Sequence, residues 1–466
     1  MAAKDMTTGS PFKVIFFFTI PLLIGNVFQQ LYSFTDTLIV GQTLGVKSLA
    51  AVGSTGAVVW LVLGFIQGIT VGFSVVTGQR FGAGDMRGVK HSVAMCIYLC
   101  LFWTVLITTV SVAAAENILL FLNTPPDIHE EALTYLRIMY VGTGATIFYN
   151  MISNIIRAIG DSKTPLYFLI VAAVLNVILD LVLIKCFHAG VAGAAWATVI
   201  AQAVSGFLCL IFIYFKLPLL HIDAKALRFD MPFIMKHMRI GFPMGFQMAI
   251  LTIGILTVQT VLNSFGSATI AAFTAAAKVE HMASQAIVTL GVSISTYSAQ
   301  NYGAKNFKRI RTGIKKCIQL SFCFCLIGAA CIFTYGETLV KMFISGDHPD
   351  IVHIAKTYLD IIIIFHFALG LLIIYRNCLQ GMGYAVFPMW AGITELIMRV
   401  FVALVFGKLY GFVGVCFASP AAWIGAAVLL GVGYYRTIKK ATYKTHKTVR
   451  LNIENILGMT TNHDMG

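Results

Sequence analysis

Charge is what this chain has least of. Asp, Glu, Lys and Arg make up 11% of its 466 residues, against about 25% in a soluble domain. Acid is scarcer than base: 19 Asp and Glu stand against 33 Lys and Arg, for a formal net charge of +14. A soluble protein of this length, about three domains of roughly 150 residues, has no interior large enough for the 58% of residues that are hydrophobic. The excess must face lipid. No G-x-x-x-x-G-K-[ST] loop occurs, so ATP does not drive the protein directly. No H-E-x-x-H, G-x-S-x-G or Asp-rich metal motif occurs either, which removes the basis for a membrane-embedded enzyme. The ten Cys never take the C-x-x-C spacing that zinc favours. Most lie inside apolar runs and read as small buried hydrophobes.

Twelve hydrophobic stretches are present instead, near 14–40, 50–78, 93–115, 132–156, 165–187, 191–215, 237–262, 270–298, 317–336, 353–375, 386–408 and 412–435. One crossing takes about 20–25 residues, so the chain is filled by spans and short loops. The first stretch continues through Gln29, Gln30, Tyr32 and Asp36 without a small-residue cleavage site, and it reads as a retained helix. The basic excess reflects topology and not nucleic acid, because Lys and Arg cluster between the apolar runs. The tails and the loops after even-numbered spans hold most of them, including Arg80, Arg87, Lys90, Lys216, Lys225, Arg228 and the basic run from Lys305 to Lys316. Loops after odd-numbered spans hold only Lys47, Lys185, Lys341 and Lys408. This asymmetry puts both termini in the cytoplasm of a multi-pass protein of the inner membrane.

The chain also repeats itself. Gly78-Gln79-Arg80-Phe81-Gly82-Ala83 recurs as Ala299-Gln300-Asn301-Tyr302-Gly303-Ala304, an offset of 221. Gly190 through Thr198 recurs as Gly411 through Ser419, and Pro21, Gly160 and Pro165 recur as Pro243, Gly383 and Pro388 at offsets of 222 or 223. Each half holds an even number of spans, so the copies share one orientation and relate by an axis along the membrane normal. The expectation is an all-α integral membrane protein of twelve transmembrane helices, in two pseudo-symmetric six-helix lobes around a central cavity. The first lobe is assigned to 1–215, the linker to 216–239, the second lobe to 240–436 and a basic tail to 437–466.

An Asp at mid-span costs roughly 2.5–3.5 kcal/mol by insertion scales and needs a reason. Asp36 lies deep in span one, with Gln29, Tyr32 and Ser33 on its helical face. Pro21 precedes it and permits a bend. Asp180 lies in span five, one turn after Asn176, and Thr198 in span six adds a hydroxyl at comparable depth. Asp36, Asn176, Asp180 and Thr198 offer oxygen ligands that suit Na+, a hard monovalent cation, or a shared proton. The plain alternative is that they only bond one another in a packed bundle. Their repeat mates, near Thr257 and near Phe401 to Ala403, carry no acid. A structural need of the fold would recur in both copies. Asn150, Ser153 and Asn154 form a polar patch in span four that either lines the cavity or bonds between helices. In the second lobe, Glu395 and Arg399 are spaced for a helical ion pair, Lys356 and Asp360 for an interfacial one. Glu280 stands near Lys278, and His366 reads as a core histidine.

The opening IPLLIGNVFQQLYSFTDTLIVGQTLG, the GQRFGAGD loop, IIRAIGDSKTP and the NVILD helix resemble multidrug and toxic compound extrusion (MATE) transporters. The resemblance runs from about Pro11 to Lys440. It implies export of small, drug-like, often cationic compounds, driven by inward flow of H+ or Na+, by a monomer in the bilayer with no cofactor and no enzymatic step. The family's amino-lobe cation site maps onto Asp36, Asn176, Asp180 and Thr198, and its bending first helix onto Pro21. Gln29, Tyr32, Asn150, Ser153 and Asn154 become cavity candidates; Glu280, Glu395 and Arg399 are the polar groups of the second lobe. Another branch's carboxy-lobe acid site lacks a counterpart, since span seven carries Gln259 and no acid. A rival reading, a flippase for lipid-linked precursors, calls for several cavity cations where only Arg399 is a candidate.

The charge asymmetry generates a direct test. A cysteine introduced in the linker near Lys225 should resist an impermeant thiol reagent in intact cells, and one near Asp127 should react. The reverse labelling pattern would invert the topology.

Overall fold

Pro at the first turn, Asp or Asn caps, and left-handed glycines at the ends divide the chain into helices. The computed structural model describes residues 4–344 and 348–456, with side chains as far as Tyr443. No strand occurs among the described residues. The first half contains α1 (Pro11–Leu44), α2 (Val46–Gly82), α3 (Met86–Phe121), α4 (Pro126–Val141), α5 (Thr143–Ala158), α6 (Lys163–Leu181) and α7 (Gly190–Lys216). The second contains α8 (Met231–Leu262), α9 (Ser267–Gly303), α10 (Phe307–Lys341), α11 (Pro349–Ile364), α12 (His366–Gly381), α13 (Val386–Cys416) and α14 (Ala418–Ile456). The pairs α4–α5 and α11–α12 are broken rods at equivalent places in the repeat, the second bent by 50°. Each half is therefore six rods. Among the described residues, nine helices are long and apolar enough to cross a membrane, and α11–α12 makes a tenth. The α4–α5 rod and α9 are more polar, carrying Glu130, Glu131 and Arg137, and Lys278 and Glu280. Twelve rods are consistent with the twelve spans expected.

The repeat is visible in the backbone. Gly160 and Gly383, mates in the two halves, both take φ +89 and end α5 and α12. Each closes the same pair of bonds, Gly160 N to Arg157 O with Asp161 N to Ile156 O, and Gly383 N to Gln380 O with Tyr384 N to Leu379 O. Only glycine takes that left-handed position without strain.

Several boundaries differ from the sequence reading. The linker expected over 216–239 is helical from Met231 onward, where Asp230 caps Phe233 N and Pro232 sits in the first turn. Span eleven was expected to end at 408 and span twelve to start at 412. That boundary agrees with the structure: Gly411 (φ 62, ψ -143) breaks the helix there, and the chain folds back so closely that a Cβ on Gly414 would lie 1.9 Å from Phe406 O. Span ten, expected to stop at 375, continues through α12 to Gly381, so Arg376 is a buried helical residue and not a loop residue. Of the basic tail, α14 carries the chain to Ile456, and 457–466 lie outside the described residues.

The lobes meet where glycines admit backbone. A Cβ on Gly68 would fall 2.5 Å from Met244 O, and one on Gly72 2.4 Å from Gly241 Cα, so α2 and α8 pack with almost no side chain between them. At the end bearing the basic loops the contact becomes two-fold. A Cβ on Gly82 would lie 2.0 Å from Gln300 O, and one on its mate Gly303 1.8 Å from Gln79 O. Those same glutamines cross the interface: Gln79 Nε2 donates to Gly381 O at 3.0 Å, and Gln300 Nε2 to Ala158 O at 2.8 Å. The N-terminal strap lies over this end, with Met6 N donating to Gln300 Oε1 at 2.8 Å and Arg309 donating to the carbonyls of Met6, Thr8 and Gly9. Towards the other end of α2 the lobes part. Gly64 still reaches Met248 Cβ at 3.8 Å, but Gly53 and Gly56 have nothing within 4 Å.

Overpacking a tight contact costs about 1–3 kcal/mol. Gly82→Ala and Gly303→Ala should each lower the melting temperature of the detergent-purified protein, while Gly53→Ala leaves it nearly unchanged. Equal melting temperatures for all three would show that the closed end yields freely.

Candidate functional site

The chemistry of the first lobe gathers where α1, α4, α6 and α7 converge. Asp36 and Tyr32 are one turn apart on α1, and Asn176 and Asp180 one turn apart on α6. Both pairs therefore point along single helical faces. Directly after Asp180 the helix widens into a π-turn, Val182–Cys186. Such turns are concentrated at functional sites, because they re-aim the residues before them.

Asp36 and Asp180 lie close enough for their carboxyl groups to interact. The amide of Asn176, oriented to satisfy both ends, donates from Nδ2 to Asp180 Oδ2 at 2.8 Å and accepts from Thr198 N at 3.1 Å. Tyr32 Oη lies 3.2 Å from Thr198 Oγ1. Asn176 and Asp180 are completely buried, and Asp36, Tyr32 and Thr198 half-buried. One oxygen of each carboxyl, Asp36 Oδ1 and Asp180 Oδ1, is buried without a partner. No Lys, Arg or His forms an ion pair with either acid among the described residues. Two neighbouring carboxyl groups without a cation cannot both be ionised and stable at that distance unless a positive charge joins them. Two orphaned carboxylate oxygens, an amide and two hydroxyls fit a proton held between the acids or a Na+ ion held by oxygen alone. No cluster of three or more His, Cys, Asp or Glu that suits a transition metal occurs among the described residues.

The four coupling candidates thus come together with Tyr32, and Pro21 lies buried in α1 below them. Tyr135 on α4 joins the group, near both carboxyls. The sequence reading missed it, because one Tyr on an amphipathic helix carries no signal of its own. The other cavity candidates do not join this cluster. Gln29 is exposed, and Asn150 donates back to Thr146 O in its own helix at 2.9 Å. Ser153 and Asn154 do not line an opening: both are buried, and Asn154 Nδ2 reaches Thr70 Oγ1 of α2 at 3.2 Å. Of the two roles open to them, helix-to-helix bonding is the one the packing selects for Asn154.

In the second lobe the acids are already matched. Glu395 accepts from Arg399 Nη2 at 3.0 Å, as its spacing suggests, and from Arg376 Nη2 at 2.5 Å. The sequence reading had placed Arg376 in a loop. Glu280 accepts from Tyr358 Oη at 2.8 Å rather than pairing with Lys278, whose ammonium lies over the Phe343 ring. Lys356 and Asp360 form an ion pair. His366 is a core residue at the bend between α11 and α12, with Nδ1 3.0 Å from Ile362 O and its ring edge-on to Trp423.

Comparison with known proteins agrees with this architecture. The MatE family model matches residues 21–182 and again 243–405, once in each lobe and in register with the internal repeat. YpnP of Bacillus subtilis strain 168, a probable multidrug resistance protein, is 29% identical over 389 residues, which is 82% of this chain and 85% of that protein. NorM of Thermotoga maritima, also a probable multidrug resistance protein, is 25% identical over 87% of each chain. Among solved structures, the outward-facing conformation of a multidrug resistance MATE family transporter of the MOP superfamily superposes with a TM-score of 0.87. That match is 23% identical and covers 94% of this chain and 98% of the other. At such identity it speaks for the fold.

Proposed function

Because the chain belongs to the MatE family of multidrug efflux transporters, we propose that it is a secondary antiporter, exporting drug-like, often cationic organic compounds in exchange for H+ or Na+. The observation that carries this reading is the pair of neighbouring acids Asp36 and Asp180, with no cation paired to either among the described residues and one orphaned oxygen on each. The lobes are joined at the end bearing the basic loops and apart at the other. With that basic end cytoplasmic, as the charge rule has it, the form described is open outward. A proton or Na+ arriving from outside joins the two acids. Its charge removes their repulsion and changes the hydrogen bonds that hold α1, among them Tyr32 with Thr198. Helix α1 then bends near Pro21, where one backbone hydrogen bond is missing, and the drug leaves. A flippase would need unpaired cations for phosphate, but Arg376 and Arg399 both bond Glu395.

Asp36→Asn and Asp180→Asn keep the volume and part of the hydrogen bonding but cannot alternate in charge. A charge-assisted contact is worth about 1.5–3 kcal/mol, so each should lower ion-driven efflux roughly tenfold or more with expression retained. Near-normal efflux in either variant would assign that residue to packing alone.

The two ions can be told apart at the same oxygens. Na+ needs both acids ionised, so it must compete with protons and stimulate less as pH falls. Losing one neutral hydroxyl costs about 1 kcal/mol, so Thr198→Ala should weaken sodium stimulation roughly fivefold and leave proton-driven efflux nearly intact. The measurement is efflux against sodium concentration at about pH 6 and pH 8, in wild type and variant. Sodium stimulation blind to both pH and the substitution would move the sodium site elsewhere.

A further inference from the structure

A second site lies on the outer surface of the second lobe, far from the acids. Between the first turns of α8 and the start of α13 runs a groove of about 640 Å³. Its walls are Met235, Met238 and Phe242 on one side, and Phe387 and Trp390 on the other. Met238 packs in part against the first-lobe core and the Phe242 ring lies 6.3 Å from Trp103 of α3, yet the walls keep free outer surfaces. Met235 is 41% exposed, Phe242 41% and Trp390 58%, so in the membrane their outer surfaces meet lipid tails. One charged group shares the groove, Arg239. It is exposed, and it makes no ion pair or hydrogen bond among the described residues. It also lies eight residues into α8, about 12 Å from the helix start at 1.5 Å per residue. An Arg at that depth snorkels toward the interface and is stabilised by a counter-charge. The only acid on the first two turns of α8 or at its start, Asp230, is occupied by Phe233 N and His91. The loop from Met382 to Ala385 supplies no acid at all.

From this apolar slot with one unmatched guanidinium at its basic-loop end, we propose that the groove binds one anionic phospholipid of the inner leaflet. Its phosphate pairs with Arg239 and an acyl chain lies between Phe242 and Trp390. A zwitterionic lipid brings its own ammonium and satisfies Arg239 less well. The groove also touches Pro243, the interior proline of α8. The opposite face of that turn carries Gly241 and Gly245, packed against Phe73 and Ile69 of α2. A bound lipid therefore braces the weak point of the helix that joins the lobes. This site is independent of the coupling chemistry, and its test does not use transport.

Trp390 provides the readout. The full-length protein is placed in phosphatidylcholine nanodiscs containing rising fractions of phosphatidylglycerol brominated on its acyl chains, or of brominated phosphatidylcholine. The Trp390 signal is the emission of wild type less that of Trp390→Phe. Brominated phosphatidylglycerol should reach half-quenching at a several-fold lower mole fraction than brominated phosphatidylcholine. Arg239→Gln should erase that preference and Arg239→Lys should keep most of it. Equal half-points for the two lipids in wild type would overturn the proposal without recourse to any Arg239 variant. So would a preference that survives Arg239→Gln. Reversal of the quenching by excess inorganic phosphate would also overturn it, since the site would then hold a small anion and not a lipid.

Discussion

Everything in this molecule depends on how two lobes hold together where lipid surrounds them and hydrophobicity no longer distinguishes partner from solvent. Association in that setting comes from close packing and from hydrogen bonds between helices. The glycines at 68 and 72 on α2, and 241 and 245 on α8, supply the first by bringing backbone against backbone or ring. Gln79 and Gln300 supply the second, each reaching a carbonyl of the opposite lobe. These contacts come in two-fold pairs at one end of the seam, with nothing comparable around Gly53 and Gly56 at the other. Such an interface can open by rocking without unfolding either half.

On this symmetric scaffold the charges are distributed asymmetrically. The acids of the second lobe have donors, two guanidiniums on Glu395 and a phenol on Glu280. Removing any partner there would leave a buried charge, which is costly. In the first lobe the buried pair Asp36 and Asp180 has no cation, only a neighbouring acid and an amide. The same fold thus carries buried acids with donors in one lobe and a pair of acids without a cation in the other.

The architecture was legible in the sequence because membrane insertion writes itself in long apolar runs and in the sidedness of Lys and Arg. Repetition doubled the signal, since Gly160 and Gly383 could be matched before either was known to be left-handed. The candidate site was legible because Asp36 and Asp180 are expensive where they lie. What escaped was whatever depends on a neighbour brought in by tertiary packing. Arg376 looked like a loop residue because a span can end anywhere within a turn or two of a charge; the buried partner it bonds, Glu395, is on another helix. Tyr135 became part of the site only through the placement of α4. Ser153 and Asn154 had the polarity of a cavity lining, but Thr70 of α2 stands in front of Asn154.

One helix belongs to both lobes, and that position explains why its acid is suited to coupling. Above its middle, α1 is tied to the first lobe through Asp36 with Asp180 and Tyr32 with Thr198. Below, it is tied to α9 of the second lobe: Thr19 donates to Ser293 at 2.7 Å, Asn26 to Thr289 at 2.9 Å, and Gln30 lies 3.0 Å from His281. Pro21 sits among the lower contacts, where the helix is short of one internal bond. A change in the bonds at Asp36 is therefore not confined to the first lobe. If the upper part of α1 shifts while the lower contacts hold, the strain concentrates near Pro21; if they give way, the second lobe is released from the first along α9. One continuous helix thus links the carboxyl pair to the contacts between the lobes, without a relay of side chains.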